Sequence, residues 1–175
     1  FLDKNKIYKY LADQFVDVDI SFFSSATFIS KSLYYDSRVF CSIYKGNEIH
    51  INKVDDDLDA DNLSIKGTIE NNLNKYFITS IDDFSFENCS KITGKIAFPY
   101  TIKEIGNFSF FSSVSRTMQI SEIDFSNCTN LTEIGISAFQ NCQNLSGSIN
   151  FPKSIKLISS TAFLNAGEIY SIYLN

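Results

Sequence analysis

Apolar positions in the C-terminal half of the chain return in blocks of one design. Each block opens with two apolar residues three apart, such as Ile78 and Ile81. A small residue and Phe follow, then Asn, then a run with alternating apolar positions, such as residues 92–98. Segment 81–99 lies over segment 134–152 at an offset of 53. Ile81 falls on Ile134, Phe86 on Phe139, Asn88-Cys89 on Asn141-Cys142, and Phe98-Pro99 on Phe151-Pro152. Two further copies follow these at an offset of 24, placing Ser109-Phe110 after Ser85-Phe86 and Ala162-Phe163 after Ala138-Phe139. A fixed internal period of this length is the signature of a solenoid.

Each unit therefore predicts a short strand, a turn and a second strand. In the second strand Ile92, Ile96 and Phe98 face inward, Gly94 permits a bulge, and Pro99 or Pro152 ends the ladder because proline has no N–H to donate. One coil cannot bury its own Ile and Phe residues, but stacked coils share a core. Phe86, Phe110, Phe139 and Phe163 should form one column. The small residues before them fit a tight corner. Asn88, Asn141 and Asn165 should bond backbone groups of neighbouring coils. The second unit is 29 residues long, and its excess should bulge out at 112–117 and 127–130, with Ile120, Ile123 and Phe125 kept inward.

The N-terminal third lacks this rhythm. Residues 4–14 read as an amphipathic turn or short helix, and 16–22 as a strand with one wet face. Residues 39–44 and 48–54 read as two strands joined by a turn at Lys45-Gly46-Asn47. Residues 55–62 read as a loop. Ile65, Gly67 and Ile69 fit the frame of Leu145, Gly147 and Ile149 as a degenerate half-repeat. The division is thus 1–62, an N-terminal cap with a decayed repeat, and 63–175, the solenoid, with four clear units from 78.

Composition narrows the function more than the fold. Hydrophobic residues make up 44% of the 175, enough for a core in one domain. The net charge is −5, with no basic footprint, so nucleic acid is not an expected partner. No apolar run is long enough for a membrane-spanning helix. The chain opens on Phe1 without a signal segment, which fits either a removed leader or a piece of a longer protein. An end directly after a strand-like run also allows a continuing array. The cysteines Cys41, Cys89, Cys128 and Cys142 lack CxxC spacing, against a zinc site. Cys89 and Cys142 share a repeat position two coils apart, roughly 10 Å at strand spacing, too far for a bridge. Buried thiols are expected, with a Cys128–Cys142 pair left open.

Units 81–99 (IDDFSFENCSKITGKIAFP) and 134–152 (IGISAFQNCQNLSGSINFP) resemble the BspA-like class of leucine-rich repeats. Ile134-Gly135, Ala138-Phe139, Cys142, Leu145, Ile149 and Phe151-Pro152 carry the pattern. Ser113 and Ala166 depart from it at the Cys position, as does the long second unit. The resemblance covers roughly 78–175 and, weakly, 63–77. It implies a right-handed leucine-rich-repeat solenoid with parallel strands and a divergent N-terminal cap, α/β by convention but mostly β. It also implies a surface or secreted setting and adhesion to proteins or cells, without catalytic residues to carry over.

The residues suggest no enzyme, cofactor or metal. His50, the only histidine, lies in an alternating strand and reads as an exposed strand residue. Asp57, Asp59 and Asp61 have the spacing of a calcium loop, but Asn62 and Thr68 stand where Gly and Glu are needed, so a solvated acidic loop is expected. The six Asn-x-Ser/Thr matches, at Asn62, Asn88, Asn107, Asn127, Asn130 and Asn144, fall mostly at turn positions that repeat chemistry explains. The outward positions of the second strands form the expected ligand surface: Lys95 and Ala97, Glu122 and Asp124, Ser148 and Asn150, Ser171 and Tyr173. These imply a non-catalytic binding module for a protein or glycan. The alternative is a scaffold subunit packed permanently in a large assembly.

Overall fold

The computed structural model describes residues 29–31, 39–71 and 74–174. The expectations for 4–14 and 16–22 lie outside them. Two strands alternate along the chain. The short or leading strand of each coil is β3 (Glu48–Val54), β6 (Asn74–Ile81), β8 (Glu104–Ile105), β10 (Glu133–Ile134) or β12 (Leu157–Ile158). The second strand is β4 (Ala60–Asp61), β7 (Ile92–Ala97), β9 (Gln119–Asp124), β11 (Ser146–Phe151) or β13 (Glu168–Leu174). The result is a β-solenoid of five coils, with no helix among the described residues.

The leading strands pair in parallel, in the order β3-β6-β8-β10-β12. Their register sets Ile51, Ile81, Ile105, Ile134 and Ile158 in one row. On the other side β4-β7-β9 form one parallel sheet and β11-β13 a second. The hairpin of β1 (Ile29–Lys31) and β2 (Val39–Lys45) adds to β3 in antiparallel fashion. The expected turn after β2 is present, and Gly46 supplies its left-handed residue (φ 59°).

The turns stack as the repeat demands. The Phe86 N–H donates to the Ser109 carbonyl, Phe110 to Ala138, and Phe139 to Ala162, each at 2.7 Å. The four rings form the expected column, with centroid spacings of 4.6, 5.0 and 5.1 Å. The small residue before each ring, Ser85, Ser109, Ala138 or Ala162, is fully buried. Asn88, Asn141 and Asn165 all adopt the left-handed conformation, which asparagine tolerates. The Asn88 side chain accepts from the Ser113 N–H (2.8 Å) and the Asn141 amide donates to the Ser112 carbonyl (2.9 Å). Asn165 departs from the expectation: its amide donates to the Asn141 side chain instead.

The frame proposed for Ile65, Gly67 and Ile69 is overturned. Ala60 pairs with Ile92 and Ser64 with Ala97, and the Ile65 N–H donates to the Ala97 carbonyl. Ile65 therefore stands where Phe98 stands one coil later, since the Phe98 N–H donates to the carbonyl of Asp124, the partner of Ala97. The 55–62 loop ends in strand β4 rather than running to Asn62. Asn62 takes the left-handed residue (φ 56°) that Gly94 takes at 70°. The chain beyond Gly67 instead folds β5 (Thr68–Asn71) back on β6 in antiparallel fashion. Register shifts follow Gly94, where a bulge was expected, and Gly147, with the extra residue in the partner strand at Ser121 and Tyr170.

The extra residues of the second unit divide between surface and core. Val114 is exposed at the tip of the first loop, but Ser112 and Met118 at its base are fully buried, and the Met118 N–H donates to the Ser112 hydroxyl (2.8 Å). Residues 127–130 do not bulge freely. Cys128 turns inward and donates its thiol to the Phe98 carbonyl (3.4 Å), and Asn130 donates to the Tyr100 carbonyl (2.8 Å).

Candidate functional site

The second strands present the surface that the repeat predicted. Parallel register places Lys95 beside Glu122 and Ala97 beside Asp124. It places Ser148 beside Ser171 and Asn150 beside Tyr173. The strip is not one continuous ladder, because β9 and β11 belong to different sheets. The longer second unit separates them. They remain neighbours: Phe125 stacks on Phe151 at 5.6 Å in the core, and the Asn144 amide donates to the Gln119 side chain at 2.6 Å on the surface.

The charged half of the strip is held in place. Lys95 Nζ lies 2.8 Å from Asp124 Oδ2 and 3.1 Å from Glu122 Oε1. The Lys95 ammonium, helped by the Ser126 hydroxyl and N–H, draws the Asp124 carboxyl down to about 2. The same two carboxylates raise the pKa of Lys95, Asp124 more than Glu122. Exposed pairs of this kind add little stability. Their effect is to hold the three side chains in fixed positions relative to one another.

The other half is uncharged. Ser148, Asn150 and Tyr173 are exposed. The register shift after Gly147 skips Tyr170, whose ring is exposed. Tyr170 escaped the sequence reading because strict alternation does not reach it. The glycine at 147, with φ of 89°, marks the bulge that re-aims the chain there.

A second concave surface lies along the leading strands. A groove of about 460 Å³ is lined by His50, Asn52, Ser80, Ile81, Asp82, Asp83, Glu104 and Gly106. Gly106 lets two coils approach closely at its floor, since a Cβ there would stand 2.7 Å from the Asp83 backbone nitrogen. His50 is not the freely exposed residue expected from alternation. Its Nδ1 pairs with Asp82 Oδ1 at 2.9 Å, and its ring stacks on Tyr44 at 4.5 Å. The parallel neighbour strand brings Asp82 to it from 32 positions away, which alternation within one strand cannot show. Glu104 lies in register with Glu133 on the same sheet.

The acidic run 55–61 is tied down by cations. Asp56 pairs with Arg116 (2.9 Å) and Lys53 (3.3 Å), and Asp57 with Lys91 (2.9 Å). Asp61 accepts from the Thr93 hydroxyl (2.9 Å). Two of the three calcium-spaced carboxylates, Asp57 and Asp61, are thus drawn to different partners. The four cysteines are buried and free, so the Cys128–Cys142 alternative falls. Burial pushes each thiol up to about 12.

The family model for the BspA type leucine rich repeat region matches residues 67–175 in six copies. The chain belongs to the BspA-type leucine-rich-repeat family. Solved structures agree on the fold. A leucine-rich repeat protein from Bacteroides capillosus is 20% identical, with a TM-score of 0.63, over 78% of this chain and 93% of that one. A leucine rich cell surface protein from Faecalibacterium prausnitzii is 16% identical, with a TM-score of 0.58, over 87% of this chain and 44% of that one. A leucine-rich repeat protein from Bacteroides ovatus is 22% identical, with a TM-score of 0.52, over 82% and 41%. No curated protein sequence matches the chain. In a BspA-type repeat the regular positions build the coil and leave the outward residues free to vary.

Proposed function

We propose that this BspA-type solenoid is a non-catalytic recognition module that binds a protein or glycan along its second-strand face. The setting is a cell surface or secretion, and the role is adhesion or recognition. The observation that supports this most is the pre-ordered strip. Lys95, Glu122 and Asp124 are fixed by mutual pairing, and Asn150 and Tyr173 stand side by side in register. Tyrosine suits either ligand, because its ring covers apolar surface while its hydroxyl bonds at low ordering cost. A rigid strip also lets several weak contacts act together. The surface setting draws support from the F. prausnitzii relative, which is described as a cell surface protein. No helix of the described residues is long and apolar enough to cross a membrane.

The test is a screen of glycans and extracellular proteins with the intact chain, followed by Asn150→Ala and Tyr173→Ala. Each change should weaken binding by roughly tenfold or more. Retained binding in the double variant would place the contact elsewhere.

A further inference from the structure

The groove along the leading strands carries side chains that the coil itself does not use. Parallel register sets His50, Ser80, Glu104 and Glu133 in one row across four neighbouring strands. Ser80 lines the groove although it is only 7% exposed, and among the described residues its hydroxyl makes no hydrogen bond. Asn52 lines the same groove and keeps a buried side-chain oxygen without a partner. Buried polar groups in folded proteins are normally paired. Two unpaired ones at one groove point to a bonding partner from outside the chain.

The charge there is equally incomplete. Glu104 and Glu133 stand in register on adjacent strands, both exposed and neither paired with a cation among the described residues. Like charges in register oppose each other, and a cation between them removes the opposition. Cations carried on these strands are committed elsewhere, Lys103 to Glu48 at 2.7 Å and Lys53 to Asp56 at 3.3 Å. Asp83 is held by the Asn107 N–H and side-chain amide, and Asp82 faces the His50 ring.

The uncommitted groups at Ser80, Asn52 and Glu104 all offer acceptor oxygens, in surroundings of net negative charge. The complementary ligand is a cation with several donors and no acceptor, which describes a guanidinium. Ser80 and Glu104 lie on adjacent strands, about 4.8 Å apart. The planar fork of arginine reaches two acceptors at that spacing at once, whereas an ammonium is a compact and more strongly hydrated point charge. The acidic row continues past the groove to Glu133, which suits a chain rather than a free amine.

We propose that this groove is a second recognition site, which takes an arginine-bearing segment of a protein partner, its guanidinium bonded to the Ser80 hydroxyl and the Glu104 carboxylate. The site lies on a different sheet from the strip that carries Lys95 and Tyr173, so its occupation does not depend on what the strip binds.

Fluorescence anisotropy of a labelled hexa-arginine peptide with the intact chain tests it, beside hexalysine and hexaglutamate. Hexa-arginine should bind most tightly and hexaglutamate not at all. Glu104→Gln with Glu133→Gln should weaken hexa-arginine about tenfold. Ser80→Ala removes one hydrogen bond without touching the charge and should weaken it about threefold. Asp59→Asn with Glu168→Gln removes the same charge from exposed positions outside the groove and should leave the affinity unchanged. Circular dichroism checks that each variant keeps the fold. No binding at about 100 µM of the wild-type chain overturns the proposal. An equal loss in the control pair, full affinity in Ser80→Ala, or hexalysine bound as tightly as hexa-arginine overturns it too.

Discussion

Replacing Ser109 by alanine should stabilise this protein, while the same change at Ser85, one coil earlier, should destabilise it. The two serines share a repeat position, and both are fully buried. Their hydroxyls differ. Ser85 Oγ lies 2.8 Å from the Ile51 carbonyl and 2.6 Å from the Asp82 carbonyl. Ser109 Oγ is enclosed and has no partner. A buried hydroxyl without a partner costs about 1–3 kcal/mol, while a buried hydrogen bond contributes about 0.5–1.5 kcal/mol net. The space already suits alanine, since Ala138 and Ala162 fill the same slot in the next coils and are fully buried. Ser109→Ala should therefore gain about 1 kcal/mol and Ser85→Ala lose about 1 kcal/mol. The gap of about 2 kcal/mol is roughly thirtyfold in the folding equilibrium. Urea titration of both variants at unchanged slope measures it. An equal loss in the two variants would refute the assignment of an orphan hydroxyl at Ser109.

Three further outcomes follow from burial and charge. Phe110→Ala should cost about 3–5 kcal/mol, because that ring is stacked on both sides in a sealed core. Phe163→Ala, at the half-covered end of the column, should cost less in the same denaturation series. Asp124 binds its proton less well folded than unfolded, so its pairing adds stability above the ordinary carboxylate range. That contribution fades as pH falls from about 4 toward about 2. Lys95→Ala should move the Asp124 carboxyl midpoint upward in a carbon-detected NMR titration, and an unmoved midpoint would remove Lys95 as the cause. The four thiols should resist alkylation at pH 8 in the folded chain and react in denaturant, as mass spectrometry would count. A cysteine that labels in the native state would contradict its burial.

The regular coils were legible in the sequence because one side-chain pattern serves both neighbours of every coil. The Phe column, the buried cysteines and the irregularity beside Gly94 all follow from it. The first coil was hidden by substitutions that keep the geometry and lose the letters. Ala60 stands for Ile92, Asn62 for the bulge glycine, and Ile65 for Phe98. The pairing of His50 with Asp82 and of Asp56 with Arg116 spans 32 and 60 positions, and only the coil spacing brings these side chains together. The outward rows at Lys95, Glu122 and Asp124 and at Asn150 and Tyr173 were readable from strand parity. The break between them was not, because it depends on how the 29-residue unit settles, with Met118 and Cys128 drawn into the core. Exposure at the last coil was equally silent, since Ile172 and Leu174 look like core letters wherever they stand.

The central claim, recognition along the second-strand face, is tested most directly by comparing two surface variants on one ligand from the glycan and protein screen. One carries Lys95→Ala, Asn150→Ala and Tyr173→Ala on the second-strand face. The other carries Glu104→Ala and Glu133→Ala on the leading-strand face, both away from the strip. Surface plasmon resonance should show binding lost in the first and kept in the second. Binding kept in the first and lost in the second would contradict the account and move recognition to the groove beside His50 and Asp82.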